Sequence, residues 1–454
     1  MILTAKYVFP VTSQPMVDAG VCVEGNKIVE VGKSGDLKRH HPNDEVVELG
    51  NAAIMPGFVN LHTRVERTLL RGIVADEPYA RWLFTTLKLG MRLSSQDKAD
   101  ASLLGCLEAI RSGTTTIADI AYGDGAIRAA DIVGLRGVFY KAAGAADAGR
   151  VDYAVRLAHR DADDWATRYG NDRLSVGLSP NAVYETHPKV YTEIARLANR
   201  LKLPIKIQLA GSNEENDFVR RGKSVYHMHD PGVMEREYAD VTPWLPFGVS
   251  PVKFALNWDA FETDNVSIVH GIHVGEEDMN TLKSYKVGIC SCPGSEAQLG
   301  MGAAPIVDYM KAGMAVGFGT DSPAATEASD MLNEMRFAML LSRALTASTY
   351  IRSSTALRMG TMGGAKVLHM DDKIGSLEPG KLADITACNL ERTNTTIDLN
   401  PTSSLINKCT AADILMTMIN GKIVYDHGKF AADIDLDQLR RRLLSARSKV
   451  TKPI

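Results

Sequence analysis

The residues of this chain best suited to chemistry stand where predicted strands end. An apolar run, residues 52–55, breaks at Pro56-Gly57 and is followed by a second short run that ends at His62. Side chains two residues apart on a strand point the same way, so His62 and Arg64 should share one face. A guanidinium stays protonated and offers a metal no lone pair. That face therefore carries one possible metal ligand beside a fixed positive charge.

The elements that must position these residues alternate between short apolar strands and amphipathic helices. This alternation predicts a parallel sheet with both faces covered. Eight such units in roughly 320 residues fit an α/β fold of the (β/α)8 TIM-barrel type, whose active site lies at the carboxyl ends of the strands. The predicted strands are Leu174–Leu178, Ile205–Leu209, Val266–Val269, Val287–Cys290 and Ala315–Phe318, and the predicted helices are Lys98–Arg111, Lys189–Arg200 and Pro305–Ala312.

The two ends of the chain predict a second, smaller β domain. Short strand-like runs at residues 7–11, 19–24 and 27–31 are separated by turns such as Gly25-Asn26. They should pair with the segment that follows residue 370. We therefore expect a β-sandwich formed by residues 1–55 and 371–430, a barrel over residues 56–370, and a C-terminal helix within residues 431–454.

Composition narrows the classes of partner and compartment. The chain has 454 residues, 45% of them hydrophobic, and a net charge of −3, which gives no long-range reason to expect nucleic acid or an anionic membrane. No apolar run approaches the ~20 residues that span a bilayer. The N-terminal residues lack the pattern of a signal peptide. Six cysteines without a framework spacing suit a reduced, cytoplasmic protein.

Segments along nearly the whole chain resemble the amidohydrolase superfamily, in its cytosine-deaminase, chlorohydrolase and S-adenosylhomocysteine-deaminase branch. One such match arises easily by chance, but a series in the family's order does not. The segments are residues 55–71 (MPGFVNLHTRVERTLLR), 110–119 (IRSGTTTIAD), 269–275 (VHGIHVG), 293–317, 316–321 (VGFGTD), 374–385 (IGSLEPGKLADI) and 418–425 (MINGKIVY).

The resemblance implies a particular metal centre. One divalent ion is held by two histidines of strand one, a histidine of strand five and an aspartate of strand eight. A strand-six histidine and a strand-five glutamate then handle the water and the proton. This is metal-assisted hydrolysis, in which the ion lowers the pKa of its water towards ~7. The resemblance also implies a homodimer.

Only part of that centre is present here. His62, His270 and Asp321 match family residues, whereas Arg64 and Gln208 replace two of the metal ligands. A divalent site reduced to two ligands is weak, since affinity depends on ligand number and charge. The further substitutions are Gly211 for the glutamate, and Asn181 and Ser291 for two substrate-facing histidines.

The sequence therefore predicts a hydrolase with a rewired, metal-free site, which deaminates or dechlorinates a small substrate such as an N-heterocycle. Asp321 would act as general base, His270 as acid, with His62 as the third catalytic residue. Arg64 would replace the charge of the ion and bind an anionic or carbonyl-bearing group. The predicted substrate-binding residues are Arg64, Gln208, Asn181, Ser291, and Trp82 and His229 from the loops after strands one and five.

Several alternatives stay open from the sequence. His62, His270 and Asp321 have the composition of a facial triad, which could hold Zn²⁺ or Fe²⁺ in a metal-dependent hydrolase with altered ligands. Arg64 could instead form a salt bridge with Asp321 that fills the vacated metal position. The chain could also be a lyase, an isomerase or a non-catalytic binding homologue, because hydrolysis is favoured only by analogy of fold.

Overall fold

The fold consists of a parallel β-barrel and a separate mixed sheet. The computed structural model describes residues 1–223, 225, 247–345, 350–391 and 400–451. The strands are β1 (Ile2–Val8), β2 (Met16–Glu24), β3 (Lys27–Lys33), β4 (Val46–Glu48), β5 (Ala52–Pro56), β6 (Phe58–Thr63), β7 (Thr114–Ala121), β8 (Arg136–Ala143), β9 (Leu174–Pro180), β10 (Ile205–Leu209), β11 (Val266–His270), β12 (Gly288–Ser291), β13 (Val316–Phe318), β14 (Ile385–Asn389), β15 (Ile414–Ile419), β16 (Lys422–Asp426) and β17 (Lys429–Phe430).

Helices connect and surround the strands. The α-helices are Ser34–His40, Tyr79–Gly90, Ser95–Arg111, Gly125–Val133, Val151–Tyr169, Lys189–Leu201, Asn213–Arg221, Pro251–Asn257, Glu276–Ser284, Pro293–Gln298, Ile306–Lys311, Pro323–Thr326, Met331–Leu345, Ser353–Arg358, Gly364–Val367, Pro401–Lys408 and Leu436–Val450. Shorter helical turns are Val65–Leu70, Ala148–Arg150, Met359–Gly363 and Ala411–Asp413. Among the helices of the described residues, none is long and apolar enough to cross a membrane.

Strands β6 to β13 form the barrel, each parallel to the next in chain order. The barrel closes where β13 returns to β6, through a parallel bridge between Thr63 and Asp321 and a hydrogen bond from Asp321 N to His62 O of 2.9 Å. Gly319 permits this approach, because a Cβ there would lie 2.7 Å from His62 N. The predicted (β/α)8 fold is confirmed, and closure itself places His62 beside Asp321.

The second sheet is built from both ends of the chain, as expected. Its strands follow the order β17-β16-β15-β14-β5-β1-β2-β3, with β4 paired to β1. The predicted strand at residues 7–11 is wrong in its limits, since β1 ends at Val8. Pro10 has no N–H to donate to a sheet, and Val11 has φ +74°, which turns the chain out of the strand. The exact limits of the domains stay a prediction.

A buried ion pair joins the barrel to this sheet. The Nε and Nη2 atoms of Arg136, on β8, donate to the two carboxylate oxygens of Asp384 next to β14, the second over 3.1 Å. Asn420 N also donates to Asp384 Oδ1 at 2.8 Å. Both charged side chains are almost fully buried. The two-pronged geometry and the extra donor offset the cost of removing these charges from water.

We expect Asp384→Ala to destabilise the protein by roughly 3–5 kcal/mol, because it leaves the Arg136 guanidinium buried without its partner. Urea unfolding followed by circular dichroism measures the effect. Glu48→Ala is the control, since its ion pair with Lys38 is exposed and should contribute about 0–1 kcal/mol. Equal losses in the two variants would show that the Arg136–Asp384 pair does not hold the domains together.

Candidate active site

The carboxyl ends of three barrel strands carry left-handed backbone at residues other than glycine. Ala210 follows β10 with φ +53°, His270 ends β11 with φ +75°, and Asp321 follows β13 with φ +57°. Such conformations are uncommon for side-chain-bearing residues and cluster at functional sites. They turn the chain sharply at the barrel mouth, so His270 and Asp321 are directed by fixed backbone rather than by mobile loops.

Four side chains at the barrel mouth contact one another in series. Arg64 Nη2 donates to Gln208 Oε1 at 2.8 Å, and Gln208 Nε2 lies 3.5 Å from His62 Nε2. His62 Nε2 in turn lies 3.3 Å from Asp321 Oδ1. We call this series of contacts the Arg64–Asp321 chain. It joins directly the four positions that the family resemblance assigns to metal ligands.

Burial and pairing set the charges at the end of this chain. Burial lowers the pKa of His62 to about 4, although the contact with Asp321 opposes that shift. Burial alone would raise the pKa of Asp321, but the hydrogen bond with His62 and that from Ser322 N, 2.6 Å long, keep it below its ordinary value. At neutral pH the pair is therefore a neutral imidazole beside an ionised carboxylate.

His270 lies on the other side of the site with the opposite character. Its ring is 6.2 Å from the ring of His62 and nearly perpendicular to it. Its Nδ1 is 3.4 Å from Glu296 Oε1, and Ser291 Oγ donates to Glu296 Oε2 at 3.1 Å. Burial lowers the pKa of His270, but Glu296 and Asp321 outweigh this and raise it overall. His270 is thus more readily protonated near neutral pH than His62.

Arg64 is held in place by its neighbours along the chain. Asp119 Oδ2 accepts hydrogen bonds from Thr63 Oγ1 at 2.6 Å and from Val65 N at 2.9 Å, which fixes the backbone on both sides of Arg64. Arg64 is only 5% exposed. Asp321 contacts His62, and none of the ion pairs within 4.0 Å among the described residues joins Arg64 to Asp321. This geometry therefore does not support the alternative of an Arg64–Asp321 salt bridge.

The remaining predicted substrate-binding residues occupy different surroundings. Trp82 stacks on Tyr79 and donates its indole N–H to Ala324 O at 3.0 Å, beside the loop that follows β13. Asn181, after β9, lines a cavity of about 620 Å³ together with Tyr122. Ser291 is bonded to Glu296 as described, and His229 lies outside the described residues. Their contacts with a substrate stay a prediction.

Three buried acids of the site were not predicted from the sequence. Asp119 ends the quoted motif IRSGTTTIAD, and its place at a strand end was a usable signal. Glu296 and Glu215 gave no such signal, because each reaches the site from a helix. Glu215 accepts hydrogen bonds from Ala210 N and Gly211 N, at 2.9 and 2.8 Å, and burial raises its pKa to about 7. It fixes the turn that follows β10.

The residues at the four family positions do not fit the family ion. A guanidinium occupies one position, and its hydrogen bond engages the only oxygen that Gln208 could offer. The alternative trio, His62, His270 and Asp321, is not among the groups of described residues whose donor atoms lie within 4.8 Å of one another. One group at the barrel mouth does meet that distance, namely His270, Cys292 and Glu296.

Comparison with known proteins places this fold and site in a family. The chain matches the Amidohydrolase family over residues 53–424. It is 30% identical over 422 residues to a 5-methylthioadenosine/S-adenosylhomocysteine deaminase of Nitratidesulfovibrio vulgaris, covering 91% of this chain and 89% of that protein. It is 31% identical over 417 residues to the enzyme of the same name from Pelotomaculum thermopropionicum, covering 90% and 89%. The chain belongs to the amidohydrolase family.

Solved structures share the whole architecture. A zinc-bound adenosine deaminase from Xanthomonas campestris superposes with a TM-score of 0.84 at 24% identity, covering 99% of this chain and 98% of that one. Atrazine chlorohydrolase from Arthrobacter aurescens TC1, complexed with zinc, gives 0.80 at 21% identity, covering 98% and 99%. The presence of zinc in these neighbours does not support the expectation that a cofactor is absent here. It agrees with the allowance for one divalent metal.

We expect the purified protein to carry much less than one zinc or iron ion per chain, since Arg64 and Gln208 remove two ligands and add a positive charge. Arg64→His with Gln208→His and Gly211→Glu should raise the metal content. A Cβ at residue 211 would lie 3.1 Å from His270 Cδ2, so this ring must shift slightly. Mass spectrometric metal analysis of protein prepared without chelators tests both points. One tightly bound ion per native chain would contradict the first.

Proposed function

We propose that this protein is a hydrolase that removes an amino group or a halide from a small planar heterocycle, without an ion at the family's metal position. The observation that carries the proposal is the Arg64–Asp321 chain. It joins a fixed cation to an ionised carboxylate through the positions where relatives would place ligands. A buried carboxylate next to a protonatable histidine supplies a base and an acid, which hydrolysis requires.

The reaction follows from the charges of the three residues. Asp321 accepts a proton from water as the water oxygen bonds to the ring carbon. Arg64 stabilises the negative charge that then develops on the ring. His270 gives a proton to the departing amine, the carbon–nitrogen bond breaks, and ammonia leaves. Transfer of the proton from Asp321 to His270 restores the site, and the net change is ring–NH₂ plus water to ring–OH plus ammonia.

The family comparisons support the choice of hydrolysis. The relatives named above are deaminases of adenine-containing compounds, and one structural neighbour is a chlorohydrolase. Both reactions replace a leaving group on an electron-poor ring carbon by hydroxyl. Such a carbon is already electrophilic, so attack by water on it needs less help from the site than attack on an unactivated amide would. A fixed cation and a general base can supply that help.

A second candidate is a metal-dependent hydrolase whose ion has moved. The convergence of His270, Cys292 and Glu296 within 4.8 Å favours it, since imidazole, thiolate and carboxylate are all zinc ligands. All three side chains are buried. Glu296 is already engaged, however, because it accepts hydrogen bonds from Cys292 N and from Ser291 Oγ at 2.6 and 3.1 Å. We therefore place this candidate second.

A substrate screen with metal control separates these candidates. The panel contains 5-methylthioadenosine, S-adenosylhomocysteine, adenosine, guanine, cytosine and atrazine, and ammonia or chloride release is measured with and without a chelator. Turnover that survives the chelator supports the metal-free hydrolase. Turnover lost to the chelator and restored by zinc supports the second candidate. New products without ammonia or chloride would identify a lyase or isomerase, and binding without turnover would identify a binding protein.

We expect Asp321→Asn to lower kcat by about 10²–10⁴ with little change in KM, because the amide keeps the shape and cannot accept the proton. Steady-state kinetics on the substrate found in the screen measures this. Asp163→Asn, at an exposed position of the helix Val151–Tyr169, is the matched control and should leave both constants unchanged. Undiminished turnover by Asp321→Asn would place the chemistry elsewhere in the barrel mouth.

A further inference from the structure

Arg64 keeps hydrogen-bonding capacity that the protein does not use. The residue is 5% exposed, and within the described part of the chain only Nη2 has a hydrogen-bond partner, Gln208 Oε1. Its Nε and Nη1 atoms are buried and have no partner among the described residues. Leaving such donors unsatisfied destabilises the folded protein, the more so when the group is charged. A site that retains this cost in its resting state is built to receive acceptors from elsewhere.

The guanidinium geometry fixes how those acceptors must be arranged. Nη2 carries two hydrogens, one on the edge it shares with Nε and one on the edge it shares with Nη1. Gln208 occupies only one of them. Whichever hydrogen it takes, the other edge keeps two parallel N–H donors. Two parallel donors match two neighbouring acceptor atoms in one plane, as in a carboxylate or in a ring nitrogen beside a carbonyl.

The surrounding charges decide between those two ligands. Burial by itself would lower the pKa of Arg64, but Tyr122, Glu185, Glu66 and Asp321 raise it above its ordinary value. Three carboxyl groups, those of Glu66, Glu185 and Asp321, therefore already lie near the guanidinium, against one further arginine, Arg67. A second carboxylate placed there would be repelled by the acids already present, whereas an uncharged acceptor pair would not.

We propose that Arg64 binds the substrate through two parallel N–H donors to a ring nitrogen and a neighbouring carbonyl oxygen of an uncharged planar heterocycle. This rests on the proposed function, because it names the substrate class of the same site. It also separates two roles within the Arg64–Asp321 chain. Arg64 and Gln208 recognise the ring, while His62 and Asp321 at the other end contact the water.

Three small probes of equal ring size test the proposal by binding alone. Pyrimidin-2-one presents a carbonyl beside a ring nitrogen, 2-aminopyrimidine replaces the carbonyl by a donor, and pyrimidine-2-carboxylate adds a charge. We expect pyrimidin-2-one to bind at least about tenfold more tightly than the other two, since a mismatched or repelled group forfeits a charge-assisted hydrogen bond. Ligand-observed NMR titration at millimolar concentrations measures all three affinities.

Two variants and a control connect the result to Arg64. Arg64→Met removes the donors, and Arg64→Lys keeps the charge but loses the parallel pair. Both should abolish the preference for pyrimidin-2-one, and the lysine variant guards against loss of folding in the first. Arg81→Met, which removes a half-exposed arginine paired with Glu77, should leave the preference unchanged.

The outcomes distinguish this inference from the proposed function. Tightest binding of pyrimidine-2-carboxylate, or an unchanged preference in Arg64→Lys, would overturn the inference even if the substrate screen finds hydrolysis. A preference for pyrimidin-2-one that depends on Arg64 would sustain it even if the screen finds no turnover. Equal binding of all three probes in the native protein would also overturn it, because the free edge would then recognise nothing.

Discussion

The contact between the first and last barrel strands determines most of what this molecule can do. The bond from Asp321 N to His62 O closes the barrel, and the same junction sets the two side chains 3.3 Å apart. Because β6 and β13 are held in the barrel by their pairing with β7 and β12, the separation of this pair is fixed by the fold and not by the pair's own modest attraction. The side chains of this pair at the barrel mouth are therefore held as rigidly as the sheet that carries them.

A divalent ion and a set of hydrogen bonds hold converging side chains together in different ways. An ion draws donors inward through its charge and needs each of them deprotonated. Here the converging side chains contact each other, and the positive charge sits on Arg64 at one end instead of at the centre. A positive charge at one end of a series of hydrogen bonds polarises all of them in the same direction. The two ends of the series can therefore have different roles, whereas a central ion acts on all of its ligands in the same way.

The fold could be predicted from the sequence because its signals are local and repeated. Alternation of strands and helices, and motifs such as Gly113-Thr114-Thr115, depend on neighbours along the chain. The face shared by His62 and Arg64 could be predicted for the same reason, because it follows from the geometry of one strand. The hydrogen-bond partner of Arg64 could not be predicted in this way. Selecting Gln208 over Asp321 depends on the stagger of strands far apart in sequence, which no local pattern reports.

The same limit applies to the acids behind the site. Glu296 approaches His270 from the helix after β12, and the side-chain contact of 3.4 Å depends on where that helix packs. The family resemblance identified His270 as a candidate acid but gave no means to tell which group would raise its pKa. Burial lowers the pKa of both histidines, and the contact with Glu296 opposes this only at His270. Both effects are properties of the assembled barrel.

Gly319 gives the barrel an unusual point of control. A single methyl group there would lie 2.7 Å from the backbone nitrogen of His62, 2.8 Å from its Cβ and 3.0 Å from the sulfur of Cys290. Relief of that overlap would move β13 away from β6 and widen the gap between Asp321 and His62. The width of one strand junction thus sets the spacing of the reactive groups. A substitution at Gly319 could therefore alter the reaction while every residue that faces the ligand stays unchanged.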